Sequence, residues 1–160
     1  MTASANPAPV LIHATSVILG EACAPFGRVV DGAVLLLGAS GSGKSDVALR
    51  LIAMGAKLLA DDQTMLVAEQ GRLFAKAPRS LYGRMEIRGI GIVPMAAGNP
   101  SAVILAVMLA AGANPSRIPE KLRYELPPAL GGAKAPPLYH LDPFEASTPA
   151  KIAAAAAACR

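Results

Sequence analysis

Gly38-Ala39-Ser40-Gly41-Ser42-Gly43-Lys44-Ser45 matches the phosphate-binding loop pattern G-x-x-x-x-G-K-[ST] at every fixed position. The flanking residues turn this match into a fold expectation. Ala33-Val34-Leu35-Leu36-Leu37 is an unbroken apolar run of the kind buried in a parallel sheet. Asp46 to Met54 reads as a helix with Val47, Ala48, Leu51 and Ile52 on one face. Glycines in the loop let successive backbone N–H groups turn inward around a phosphate oxygen. The helix that follows points its positive end at the same anion. Lys44 is spaced to reach the terminal phosphates, and the Ser45 hydroxyl to ligate Mg²⁺.

Working outward, Val10 to Leu19 reads as a strand, followed by a loop through Cys23-Ala24-Pro25-Phe26-Gly27. Beyond the loop helix, Gly55 is the expected C-cap and Lys57-Leu58-Leu59-Ala60 the next strand. Thr64–Ala68 and Arg72–Ala75 are expected to pair as a hairpin turning at Gln70-Gly71. Ile90 to Val93 and Ala102 to Leu109 read as further strands, the second on Val103, Ile104 and Val107, with a helix as its alternative. Prolines at 115, 119, 127, 128, 136 and 137 then break the chain, before an alanine-rich helix from Pro149 to Ala158 announced by Ser147-Thr148-Pro149. Several strands follow one another without helices between them. The expected class is therefore α/β, a P-loop NTPase-like core with a mixed, curved sheet.

Asp61 and Asp62 end an apolar strand soon after the loop helix, where open α/β sheets place their sites. Such enzymes need one carboxylate for the metal, and kinases need one to accept the acceptor hydroxyl's proton. A turn or helix cap is the plain alternative for aspartate.

Composition narrows the classes further. The 160 residues fit a single domain covering 1–160. The longest apolar run, Ala102 to Ala111, is about half the roughly 20 residues of a membrane span. No basic-then-apolar leader opens the chain, and two cysteines, Cys23 and Cys159, are too few for a disulfide framework, so a reduced cytoplasm is the expected home. Net charge is +4, with Lys76, Arg79, Arg84 and Arg88 gathered against Glu86. Tyr82 is the only aromatic there, which argues against nucleic acid and for a docking or phosphate-facing surface, or else a solvated basic loop.

Met85-Glu86-Ile87-Arg88-Gly89-Ile90-Gly91-Ile92-Val93 closely resembles the signature segment of the bacterial HPr kinase/phosphorylase family, whose members read like E-I-R-G-[LI]-G-[IV]. The order of parts is similar too: His13, then the phosphate loop, then Asp61-Asp62, then this segment. The resemblance covers about half of the chain and implies an HPr kinase/PEP carboxykinase-like fold and a Ser/Thr protein kinase using ATP and Mg²⁺. The implied acceptor is a serine of HPr, the small phosphocarrier of the sugar phosphotransferase system. Carried over by position, Gly38 to Ser45 hold ATP, and Lys44 assists transfer. Asp61 takes the serine proton with His13 beside it, and Ser45 and Glu86 ligate the metal. The resemblance also implies a homo-oligomer, a hexamer in the family, with no nucleic acid or membrane partner.

The chain departs from the family in three ways. It is expected to lack the additional N-terminal domain, as do short alphaproteobacterial forms. The spacing between His13 and the loop is longer. The arginine-containing P-G-R-N-like segment is replaced by Leu141-Asp142-Pro143-Phe144-Glu145-Ala146-Ser147-Thr148-Pro149, so the kinase direction is expected without the phosphorylase. Two other readings stand: a P-loop kinase of small molecules, which would carry an arginine lid, and a non-catalytic nucleotide sensor, which would not need Asp61-Asp62.

Overall fold

In the computed structural model, residues 8–159 are described. The N-terminal residues in which no leader was read lie outside that range.

The apolar run before the loop is the centre of the molecule. Strand β3 (Val30–Leu37) is sandwiched on both faces, and its two-residue period sends alternate side chains into two cores. Val34 and Leu36 pack with Val47, Ala48 and Leu51 of helix α1 (Lys44–Ala53) and with Ile152, Ala153 and Ala156 of helix α2 (Thr148–Ala158). Ala33, Leu35 and Leu37 pack on the other side with Leu66, Leu73, Ala106 and Leu130. The long strand β9 (Ser101–Leu109) runs parallel to β3, in register Leu35↔Ala106 and Leu36↔Val107. Of the two readings of 102–109, strand is the one adopted.

Strand β2 (Thr15–Gly20) lies antiparallel on the other flank of β3, followed by β4 (Lys57–Ala60). The first part of β9 pairs with β6 (Arg72–Lys76), which pairs with β5 (Gln63–Glu69), which pairs with β1 (Val10–His13). The order is β1-β5-β6-β9-β3-β2-β4. Only Ala14 separates β1 from β2, and only Asp61-Asp62 separate β4 from β5, yet each junction joins opposite ends of that order. Such short links cannot cross a flat sheet, so the sheet curls until its two ends meet. That curl brings His13, Thr15, Asp61 and Asp62 together.

The expected hairpin turns at Gln70 and Gly71, whose φ values of 51° and 75° are those of a tight I′ turn. Gly55, with φ +115°, follows Met54 at the end of α1, as expected of a left-handed terminator. Three local expectations are corrected. The single strand Val10–Leu19 is split at Ala14, because its halves pair with different neighbours. The loop at 23–27 is a 3-10 helix, Glu21–Phe26, whose Ala22 and Cys23 are buried against the helical core. The proline-broken tail contains a strand, β11 (Pro137–Leu141), parallel to the last residues of β9 and flanked by the short β10 (Leu122–Arg123). Its prolines stand at or before the strand's start, where no ladder N–H is lost.

The signature segment forms a separate antiparallel hairpin, β7 (Arg84–Ile87) and β8 (Gly91–Pro94). Met85, 1% exposed, anchors it in the helical core. Among the described residues no helix is long and apolar enough to cross a membrane.

Candidate active site

β3, β4, β9 and β11 all run in one direction, so their carboxyl ends share one edge of the sheet. The phosphate loop leaves β3 at that edge. Gly38, Gly41 and Gly43 have φ of 146°, 78° and 97°, all in the region that disfavours a side chain. Space is closed as well: a Cβ on Gly38 would meet Ser42 Oγ at 2.5 Å, and one on Gly43 would meet Pro143 Cβ at 2.9 Å. A Gly43→Ala loop relieves its strain of about 1–3 kcal/mol by leaving the cradle conformation, which ATP binding must then restore, so affinity by calorimetry is expected to fall about 5- to 160-fold. The variant's circular dichroism should stay native.

Two polar side chains of the loop bear on what it could hold. Ser42 Oγ is buried with no hydrogen-bond partner among the described residues, an orphan that a bound anion would satisfy. Lys44 is 5% exposed, and its ammonium folds back to donate to Gly38 O (3.0 Å) and Ala39 O (2.9 Å). Burial pushes its pKa below the ordinary lysine value, while the charges of Asp62 and Asp61 pull it back up. Glycine cradle, orphaned hydroxyl, poised cation and helix N-terminus together fit a polyphosphate.

The adjacent aspartates stand in opposite environments. Asp61 is 9% exposed and its two oxygens are engaged. Oδ1 accepts from Ser45 Oγ (2.8 Å) and Thr15 Oγ1 (3.2 Å), and Oδ2 accepts from the Glu86 N–H (3.2 Å). Asp62 turns outward with φ 65°, and its exposed carboxylate lies 2.7 Å from His13 Nε2. Thr15 couples the two, donating to Asp61 while accepting the Asp62 N–H at 3.1 Å. Below them Ser16, Thr64 and the Ala14 carbonyl form a buried polar chain that fixes the junction where the sheet ends meet. The resemblance implied His13 beside Asp61; the histidine lies on Asp62 instead.

Ser45 and Asp61 already touch, and a hydroxyl with a carboxylate is the hard-oxygen donor set that suits Mg²⁺, which keeps waters and takes substrate phosphates for the rest. Glu86 reaches the site through its backbone, and its side chain is exposed. Among the described residues no cluster of three or more His, Cys, Asp or Glu forms a self-sufficient metal cage.

Two participants escaped the sequence reading. Thr15 reads in the sequence only as part of a strand, although a polar Thr15-Ser16 pair inside an apolar run is a visible anomaly. The segment Asp142 to Glu145 docks against the loop helix through Arg50, which donates to Glu145 O at 3.1 Å and to Pro143 O. No local spacing announces that contact.

A curved mixed sheet wrapped around a phosphate-binding loop defines a P-loop-containing kinase fold. Residues 24–100, just under half of the chain, match the family model described as the HPr Serine kinase C-terminal domain. An HPr kinase/phosphorylase of Clostridium beijerinckii is 36% identical over 89 residues, 51% of this chain and 30% of that protein. One from Brevibacillus brevis is 44% identical over 61 residues, 38% of this chain and 20% of that protein. The matched stretch thus spans under a third of these relatives. The solved Hpr(Ser) kinase/phosphatase of Coxiella burnetii superposes with a TM-score of 0.70 at 24% identity, covering 90% of this chain and 91% of that one, a likeness of fold.

Proposed function

We propose that this chain is an ATP-dependent serine kinase that phosphorylates an HPr-type phosphocarrier, and that residues 1–160 act as one catalytic unit. The observation that carries this reading is the division of labour between Asp61 and Asp62 beside the phosphate loop. Asp61, bound to Ser45, stands on the metal side. Asp62, exposed and paired with His13, is free to meet an incoming hydroxyl.

When bound, ATP supplies the phosphoryl group and Mg²⁺ neutralises charge on it. Gly38 to Ser45 cradle the phosphates through backbone N–H groups, and the Ser42 hydroxyl gains a partner. Lys44 exchanges its two carbonyl contacts for phosphate oxygens and stabilises the charge that spreads in a loose transition state. Ser45 and Asp61, with Glu86 by resemblance, hold the metal. Asp62, in place of the Asp61 that the resemblance implies, orients the serine hydroxyl and receives its proton, because Asp61 is already engaged by Ser45, Thr15 and the Glu86 N–H while His13 fixes the Asp62 carboxylate.

A sensor would need no such exposed pair. A protein acceptor also suits the surface next to the site. Arg79, Arg84 and Arg88 are exposed there beside Ile90 and Ile92, which are 75% and 72% exposed. Charge reversal of Arg79 and Arg84 to glutamate is expected to lower acceptor phosphorylation about tenfold through slower association. ATP affinity by calorimetry should stay the same, and unchanged phosphorylation would discard this docking surface. The family resemblance also supports a cytoplasmic homo-oligomer, a hexamer, which sedimentation of the purified chain would test.

The deciding assay supplies labelled ATP, Mg²⁺ and either an HPr-type phosphocarrier or small hydroxyl compounds. Label on a carrier serine is the expected result. Label only on small molecules, or none while ATP binds, would replace this reading with one of its rivals.

A further inference from the structure

Phe144 is 65% exposed in a chain with three phenylalanines, three tyrosines and no tryptophan. It stands at the mouth of the phosphate loop, its ring edge 3.7 Å from where a Cβ of Gly43 would lie. Apolar rings left in water at that position need a reason, and the segment that presents this one is held firmly.

The Phe144 N–H donates to Asp142 Oδ1 at 2.8 Å, and Asp142 Oδ2 accepts the Gly112 N–H at 2.9 Å, tying the segment to the end of β9. Arg50 of α1 donates to the carbonyls of Pro143 and Glu145, and is itself steadied by Asp46 at 3.1 Å. Thr148 at the start of α2 donates to the Asp142 carbonyl. A ring mounted on β9, α1 and α2 at once is preorganised for a flat ligand.

Topology says which end of a nucleotide it would meet. Along the shared edge, β4 with Asp61 and Asp62 lies on one flank of β3, and β9 with β11 lies on the other. A triphosphate in the loop with its terminal phosphate toward Asp62 therefore directs its opposite end toward the β11 flank. Phe144 follows β11 on that flank.

We infer that Phe144 is the base-stacking platform of the nucleotide site, taking the π-face of a purine nucleoside triphosphate; this rests on the nucleotide-binding part of the proposed function. Stacking reads a π-face and ignores the pattern on its edge, so ATP and GTP are held alike at this contact.

The test compares dissociation constants for ATP, GTP and inorganic triphosphate in wild-type protein, Phe144→Ala and Phe144→Trp. The alanine protein should bind both nucleotides about 5- to 100-fold more weakly. Its affinity for inorganic triphosphate should be unchanged, and the tryptophan protein should bind nucleotides at least as well as wild type. Nucleotide affinity unaffected by Phe144→Ala overturns the inference, as does an equal loss for inorganic triphosphate, which would make the ring a support of the loop. Wild-type protein that binds neither nucleotide nor triphosphate would overturn the phosphate-loop reading itself, and this inference with it.

Discussion

Asp62→Asn is expected to slow phosphoryl transfer about 10²- to 10⁴-fold, the range of a lost general base, with ATP still bound and thermal stability unchanged. The substitution is clean for a physical reason. Asp62 holds a positive φ, and asparagine is the residue that tolerates this conformation as well as aspartate does. Its carboxylate is exposed, so no buried donor is orphaned. Asp61→Asn should behave differently, because Ser45 Oγ, Thr15 Oγ1 and the Glu86 N–H all donate to that buried carboxylate. Asparagine offers one oxygen and an NH₂ that meets donors, which costs about 1–3 kcal/mol. Its melting temperature should drop and its Mg²⁺ requirement should rise. Transfer kinetics and calorimetry on the two proteins side by side would separate the roles. A fall in stability for Asp62→Asn, with none for Asp61→Asn, would reverse the assignment.

Lys44→Met is expected to lower transfer about 10²- to 10³-fold, the range seen when one preorganised donor to a transition-state charge is removed. Arginine should not rescue it, since a planar fork cannot replace a compact ammonium in a closed loop. Stability should behave unusually for a buried position. Burial disfavours the charged form of Lys44, as its lowered pKa indicates, so the apolar replacement is not expected to lower the melting temperature of the nucleotide-free protein. A large destabilisation would mean that the two loop carbonyls depend on the ammonium more than the protein suffers from burying it.

What could be read from the chain was whatever is local. The phosphate loop, β4, α1, the Gln70-Gly71 turn and the terminal helix each carry their own periodicity or turn chemistry over a few residues. What could not be read depends on contacts distant in sequence. Val10 to Leu19 looks like one strand, because the break at Ala14 comes from pairing with Gln63–Glu69 on one side and Val30–Leu37 on the other. Pro136-Pro137 looks like a breaker, and becomes the start of a strand because Ala106 to Leu109 offers a parallel edge. The pair Asp61-Asp62 is legible as a candidate site. Which acid faces which way follows from the curl of the sheet, which turns Asp61 toward Ser45 and Asp62 toward His13. Ser147-Thr148-Pro149 marked the final helix correctly, but Thr148 donates to the Asp142 carbonyl and Ser147 makes no side-chain cap.

The most direct measurement is the location of phosphate on an HPr-type phosphocarrier after incubation with this protein, ATP and Mg²⁺, by fragmentation mass spectrometry. The expected result is phosphate on one serine of the carrier, formed by wild type and not by Asp62→Asn. A carrier left unmodified under conditions where ATP binds, or phosphate that forms equally well with Asp62→Asn, would contradict the account.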